Sequence, residues 1–180
     1  MTRIQRLIHG AALSAALLGA PALAADAEGR PTEPFRREHQ QLHQHLDRVD
    51  ALVGSLTTAR PGEQKAAMNQ VVQFLEDDIL AHARWEEKAL YPAVDKRAAK
   101  GPNPFTASMR YEHKIIERWV GELAAIAQQP KPDPVAFQRQ ADKILGVIAA
   151  HFEEEEQVLL PILDKTMTKQ QFEKEIGSKA

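Results

Sequence analysis

The sequence predicts an all-α protein, an antiparallel up-down four-helix bundle built from a duplicated helical hairpin, with a short C-terminal helix added. Three observations predict this fold class. Apolar residues recur at intervals of three and four through four long segments, the alternation of Val, Ile and Thr typical of strands is scarce, and one motif occurs twice. The 180 residues correspond to one domain with a single substantial core.

The composition also limits the partners and the chemistry. The formal net charge of −2 provides no basic field, so nucleic acid is not an expected partner. The chain has no cysteine, which excludes disulfides and thiolate ligands. Any bound metal ion must therefore be held by nitrogen and oxygen atoms.

The N-terminal segment has the pattern of a secretory signal peptide over residues 1–25. Two arginines precede an apolar run over 7–19, and residues 22–24 have the small-x-small form of a cleavage site. An uncleaved membrane anchor is the alternative, but the run is short for a membrane span and is followed by Pro21. We expect export to a bacterial periplasm and no membrane association after cleavage.

A polar linker over 26–32 is expected to precede the bundle, which we assign to residues 33–165. Thr32 is the predicted cap of the first helix, and Pro34 lies in its first turn. The helices are expected to be separated by breaks rich in Pro and Gly, at residues 60–62, 100–104 and 130–134.

Two further features concern the ends of the second and fourth helices. The second helix is expected to bend near Pro92, because proline disrupts the helical hydrogen bonds. Residues 166–180 form the predicted C-terminal tail. Within it, Thr168 and Gln171 have the spacing of a capping box, which predicts a short last helix over about 169–176.

The repeated motif pairs a His with a Glu four residues later, as His82 with Glu86 and His151 with Glu155. Positions i and i+4 share one face of a helix, so each pair directs an imidazole and a carboxylate to the same point. A second Glu follows each pair, and an Asp follows each His at the thirteenth position. The motif predicts one half of a polar site on each of two helices.

Two more histidines, His39 and His113, interrupt the apolar seams of the first and third helices. In each predicted hairpin the two histidines lie at nearly equal distances from the turn, which places them at one level of the bundle. A single His in a seam is usually a hydrogen-bonded core residue, and a single His–Glu pair usually lies on the surface. Together they predict one buried cluster: His39, His82, Glu86, His113, His151 and Glu155.

Such a cluster indicates a metal site. Burying two carboxylates and four imidazoles without partners would cost several kcal/mol per charge, and a divalent cation offsets that cost. Two ions fit better than one, because two carboxylates can bridge a pair of ions and leave a coordination position open. Imidazole and carboxylate ligands without thiolate suit iron or manganese, and zinc is an alternative.

The order His, His-x-x-x-Glu, His, His-x-x-x-Glu over residues 35–165 resembles the hemerythrin-like (HHE cation-binding) family. The resemblance implies a non-haem di-iron centre, Fe²⁺ or Fe³⁺ with oxo or hydroxo bridging, in which the six residues are ligands. Oxygen carriers of this family have a fifth His where this chain has Glu117, and an Asp where it has Glu156. Glu117, or His43 one turn after His39, is therefore an additional candidate ligand.

These expectations leave several functions open. The first is an exported protein, not an enzyme, whose iron pair binds or senses O₂ or NO. The alternatives are a di-iron enzyme acting on peroxide or NO, and an iron-handling protein of the periplasm. The sequence assigns neither the ligand nor the oligomeric state.

Overall fold

The computed structural model describes residues 29–98 and 103–177, and the predicted signal peptide lies outside these ranges. Within them the chain is helical and has no strand. No helix of this part is long and apolar enough to span a membrane. The prediction of an all-α helical bundle with a short last helix is confirmed. The helices are α1, Glu33–Ser55; α2, 61–97; α3, Pro104–Ala127; α4, 134–166; and α5, Lys169–Glu175.

Each of the four long helices packs against two others, so that α1 and α3 both contact α2 and α4. The contacts between α1 and α2 are those of an antiparallel pair. Near the turn, the Gln64 side chain donates to the Leu56 carbonyl at 2.9 Å. Further from the turn, Glu38 contacts His82. Residue numbers thus fall along α1 as they rise along α2, which sets side chains of the two helices at matching levels.

Helices α3 and α4 begin with the same local chemistry. Asn103 and Asp133 are the N-cap residues, and each side-chain oxygen accepts a hydrogen bond from the backbone N–H two residues later. Pro104 and Pro134 follow in the first turn, where a proline loses no intrahelical hydrogen bond. Both helices therefore start at fixed positions, which sets the level of the histidines that they carry.

The core consists of two apolar clusters. One includes Leu46, Leu75 and Ile148 and fills the end near the α1–α2 turn. The other includes Phe35 and Leu163 and fills the opposite end, where α5 packs. Along each long helix, buried polar residues separate the part that belongs to one cluster from the part that belongs to the other. The polar layer thus lies across the bundle, enclosed by apolar side chains at both ends.

A group of polar contacts joins the start of α1 to the end of α4. Asp164 on α4 accepts hydrogen bonds from the Thr32 backbone N–H at 3.1 Å and from its hydroxyl at 2.8 Å, and it pairs with Arg36 at 3.3 Å. Thr32 occupies the predicted cap position, but its hydroxyl makes no capping bond and donates to Asp164 instead. We call this group the Asp164 clasp.

The same arrangement occurs in the other half of the repeat. Asp95 on α2 accepts a hydrogen bond from the Thr106 hydroxyl on α3 and pairs with Arg110 at 2.9 Å. Thr106 is also buried, with an exposed fraction of 1%. Each hairpin therefore ends in an aspartate that holds the first helix of the other hairpin, and these contacts fix the relative position of the two halves.

Replacing Asp164 by Ala should lower the free energy of unfolding of the metal-free protein by about 1–3 kcal/mol, because the buried Thr32 hydroxyl loses a charged acceptor. Urea unfolding followed by circular dichroism measures the change. The control is Asp142→Ala, which removes an exposed carboxylate from the same helix. Equal losses in the two variants would contradict a specific role of the clasp.

Candidate metal centre

The structure brings the six residues of the predicted cluster into the polar layer between the two apolar clusters. All are nearly or fully buried, with exposed fractions from 0% to 6%. Each long helix contributes one histidine, and α2 and α4 each add a glutamate. The buried members are His39, His82, Glu86, His113, His151 and Glu155.

One half of the cluster is built on the first hairpin. His39 Nε2 and His82 Nε2 lie 3.0 Å apart. Glu86 Oε1 is 2.6 Å from His82 Nε2, and Glu155 Oε2 reaches from α4 to within 3.5 Å of His39 Nε2. These four residues offer donor atoms that all lie within 4.8 Å of one another, close enough to hold one cation.

The other half is built on the second hairpin. His113 Nε2 and His151 Nε2 lie 2.9 Å apart, and Glu86 Oε2 is 3.2 Å from His113 Nε2. Glu155 Oε1 lies 3.8 Å from His151 Nε2. Each carboxylate thus directs one oxygen to each histidine pair. This is the arrangement that a carboxylate needs in order to bridge two cations.

The carboxylate oxygens test whether a cation fits this place. Glu86 Oε1, Glu86 Oε2 and Glu155 Oε2 are buried without a well-aligned hydrogen bond in the described part of the protein, and histidine Nε2 atoms are their near neighbours. Unpaired buried carboxylate oxygens carry a large desolvation cost. Imidazole nitrogens and carboxylate oxygens, with no thiolate, are donors that iron, manganese and zinc accept. The donor set therefore fits a pair of divalent or trivalent cations.

A ring of four outer glutamates surrounds the cluster, and each contacts the Nδ1 atom of one histidine. Going around the bundle, each helix contributes a glutamate to the histidine of the next helix. A carboxylate accepts a hydrogen bond from Nδ1–H, which fixes the tautomer with Nε2 free to bind a metal. The pairs are Glu38 with His82 at 3.0 Å, Glu87 with His113 at 3.1 Å, Glu112 with His151 at 2.8 Å, and Glu156 with His39 at 3.2 Å.

Protonation of the metal-free cluster follows from this crowding of carboxylates. Burial lowers the pKa of His82, but the charge of Glu86 and the hydrogen bond to Glu38 raise it to about 10 overall. Burial and the charge of Glu86 raise the pKa of Glu155 well above its usual range. In the absence of metal, protons bound to His82 and Glu155 thus compensate the negative charge of the buried carboxylates. Metal binding displaces them, so the affinity for metal rises with pH.

The two glutamates of the cluster, Glu86 and Glu155, stand at the start of a π-helical segment. Glu86–Leu90 in α2 and Glu155–Leu159 in α4 are π-helical, and in each the carbonyl of the glutamate accepts a hydrogen bond from the N–H five residues later. A proline follows each segment, and proline has no N–H to donate. Such segments are frequent at functional sites. Here each one places the fifth residue, instead of the fourth, over the glutamate.

In α2 that fifth residue is Tyr91, which was not predicted from the sequence. It is fully buried, and its hydroxyl donates to Glu155 Oε1 at 2.7 Å. The Tyr91 hydroxyl oxygen also lies 3.2 Å from His113 Nε2 and 3.3 Å from His151 Nε2. One sequence signal could have identified it, because the equivalent position of the second repeat is the apolar Leu160.

The structure does not bring the two additional candidate ligands into the cluster. Glu117 is exposed on α3 and lines a surface depression with Lys114. His43 is half-buried, and its ring packs edge-on against Phe152 at a centroid distance of 5.3 Å. Neither residue belongs to the groups of donor atoms that lie within 4.8 Å of one another.

A small cavity adjoins the cluster on the side away from Tyr91. It leaves about 10 Å³ for the centre of a water-sized molecule, which is close to the minimum that one such molecule needs. Four cluster residues form one wall, and apolar side chains form the rest. The apolar lining residues are Ile79, Ala83, Ile116, Ile148 and Phe152.

The family comparison agrees with this geometry. A family model described as the Hemerythrin HHE cation binding domain matches residues 30–163. The match covers most of the chain, including all four long helices almost completely. The chain therefore belongs to the hemerythrin HHE cation-binding family, and the predicted family is confirmed. Searches of curated proteins and of solved structures gave no match.

Replacing Glu112 by Gln should weaken metal binding by about 10–100-fold, because the His151 Nδ1–H keeps an acceptor but loses its negative charge. Competition with a chromophoric chelator measures the affinity. The control Glu154→Gln removes an exposed negative charge from α4. If both variants bind metal as the wild type does, the outer glutamates do not tune the centre.

Proposed function

We propose that this chain is an exported non-haem di-iron protein that binds or senses O₂ or NO. The observation that carries the proposal is the small cavity next to the cluster, which is lined by four cluster residues and five apolar ones. Its size admits one small molecule, and its lining is apolar except for the four cluster residues that form one wall. A neutral diatomic molecule matches both properties better than a larger or a charged substrate does.

The glutamates, the histidines and the apolar clusters around the centre have different roles. Glu86 and Glu155 would each offer an oxygen to both cations, and each histidine pair would hold one of them. The apolar clusters at both ends exclude bulk water from the donors. A bound iron pair would supply electrons and an exchangeable coordination position. The outer glutamates, which make the imidazoles more basic, favour iron in its ferric state.

Two alternatives differ in what the buried site must do. A di-iron enzyme acting on peroxide or NO needs a proton donor at the centre, and the Tyr91 hydroxyl, 2.7 Å from Glu155 Oε1, favours this alternative only while it keeps its proton. An iron-handling protein must load and release metal. Donors with at most 6% exposure can exchange metal only after local opening, which favours retention.

Metal analysis of the native protein tests the proposal. Protein recovered from the periplasmic fraction, with an N-terminus near residue 26, should contain about two iron ions per chain. Azide added to the ferric protein should produce new visible absorption, because it occupies the exchangeable position. Retention of residues 1–25 would contradict cleavage of a signal peptide, and recovery from the cytoplasmic fraction would contradict export. Zinc, a single ion or no metal would contradict the di-iron proposal.

The cavity itself is tested by Ala83→Val, which adds two methyl groups to its wall. Ligand binding should weaken by about tenfold or more, because overfilling costs about 1–3 kcal/mol. Titration of the ferrous protein with NO measures the affinity, and iron content should remain unchanged. The control is Ala81→Val on the same helix, outside the cavity lining. Unchanged NO affinity in Ala83→Val would show that ligands reach the centre elsewhere.

A further inference from the structure

We propose that Tyr91 Oη is a direct ligand of the metal ion held by His113 and His151. The proposal rests on the proposed metal centre and adds a donor outside the four His and two Glu residues of the repeated motif. It gives the two ions unequal surroundings, because only one of the two histidine pairs has a phenol beside it.

The distances around Oη are those between neighbouring ligands of one ion. Oη lies 2.7 Å from Glu155 Oε1 and 3.2 and 3.3 Å from the Nε2 atoms of His113 and His151. The two Nε2 atoms are 2.9 Å apart. Ligands at right angles around an ion, with bonds of about 2.1 Å, lie about 3 Å from one another. Tyr91 therefore occupies the place of a further ligand.

Hydrogen bonding alone does not account for this group. The phenol has one proton, which it donates to Glu155 Oε1. The Nδ1 atoms of His113 and His151 already contact Glu87 and Glu112, so in the resulting tautomer both Nε2 atoms present lone pairs toward Oη. Three lone-pair donors facing one another repel. A cation between them satisfies all three.

The backbone explains why the phenol is at this place in only one half of the bundle. The π-helical segment sets Tyr91 over Glu86, and the equivalent residue over Glu155 is Leu160. At the other histidine pair, the ring that packs against His39 and His82 is Phe35, with centroid distances of 4.3 and 5.5 Å. Phenylalanine has no donor atom. The ion at that end thus keeps fewer protein ligands.

Coordination by Tyr91 requires one proton to leave and no electron to move. The Oη–H bond breaks, an Oη–metal bond forms, and the proton passes to Glu155 Oε1 or to solvent. When Glu155 itself bridges the ions, the proton is released to solvent. The charge of the cation compensates the phenolate, in the way that bound metal ions deprotonate other coordinating side chains.

Spectroscopy of the ferric protein tests this assignment. A phenolate bound to Fe³⁺ gives a visible charge-transfer band and enhances tyrosine ring vibrations in resonance Raman spectra. The chain has two tyrosines, Tyr91 and Tyr111, and Tyr111 is 64% exposed. Tyr91→Phe should lose both signals and keep two irons, whereas the control Tyr111→Phe should retain them.

The possible outcomes separate this proposal from the proposed function. Wild-type protein with two irons but no tyrosine ring vibrations overturns the Tyr91 assignment and leaves the di-iron centre intact. The same follows if Tyr91→Phe keeps the wild-type spectrum. These Raman data on the wild type decide the question even if Tyr91→Phe does not fold. Wild-type protein that binds no iron overturns both proposals.

Discussion

The structure depends on two carboxylates, Glu86 and Glu155, that face each other in an apolar interior. Both cannot be ionised there without a compensating positive charge, because mutual repulsion and desolvation both oppose a second negative charge. The histidines supply the remaining donors, and the outer glutamates orient those histidines. Because the burial of two carboxylates is unfavourable without positive charge, a bound metal ion removes that cost, and this favours metal binding.

The surrounding scaffold consists of polar contacts that repeat from one hairpin to the other. Among the described residues, the eight buried polar or charged ones are the six cluster members and two threonines, Thr32 and Thr106. The threonines bind Asp164 and Asp95, which tie the end of one hairpin to the start of the other. Buried polarity is thus confined to the centre and to the two contacts that align the halves.

Helical periodicity accounts for what could be predicted from the sequence. His39 and His113 occupy positions where an apolar seam requires a core residue, so their burial followed from the pattern. Tyr91 could not be predicted in this way, because α-helical spacing puts Leu90 over Glu86 and the π-helical turn adds one residue. The contacts of the outer glutamates could not be predicted from periodicity either, because each glutamate lies next to a cluster residue in sequence but contacts a histidine on another helix.

The ring of outer glutamates has a consequence for how such a protein could arise. Neither hairpin contains a complete centre, because Glu86 and Glu155 each serve both histidine pairs, and Glu87 and Glu156 each reach across to the other hairpin. An isolated hairpin could complete the centre only by pairing with a second copy around a two-fold axis. Fusion of two such copies frees each one to diverge, and the phenol at position 91 opposite a leucine at position 160 is a difference that no symmetric dimer could carry.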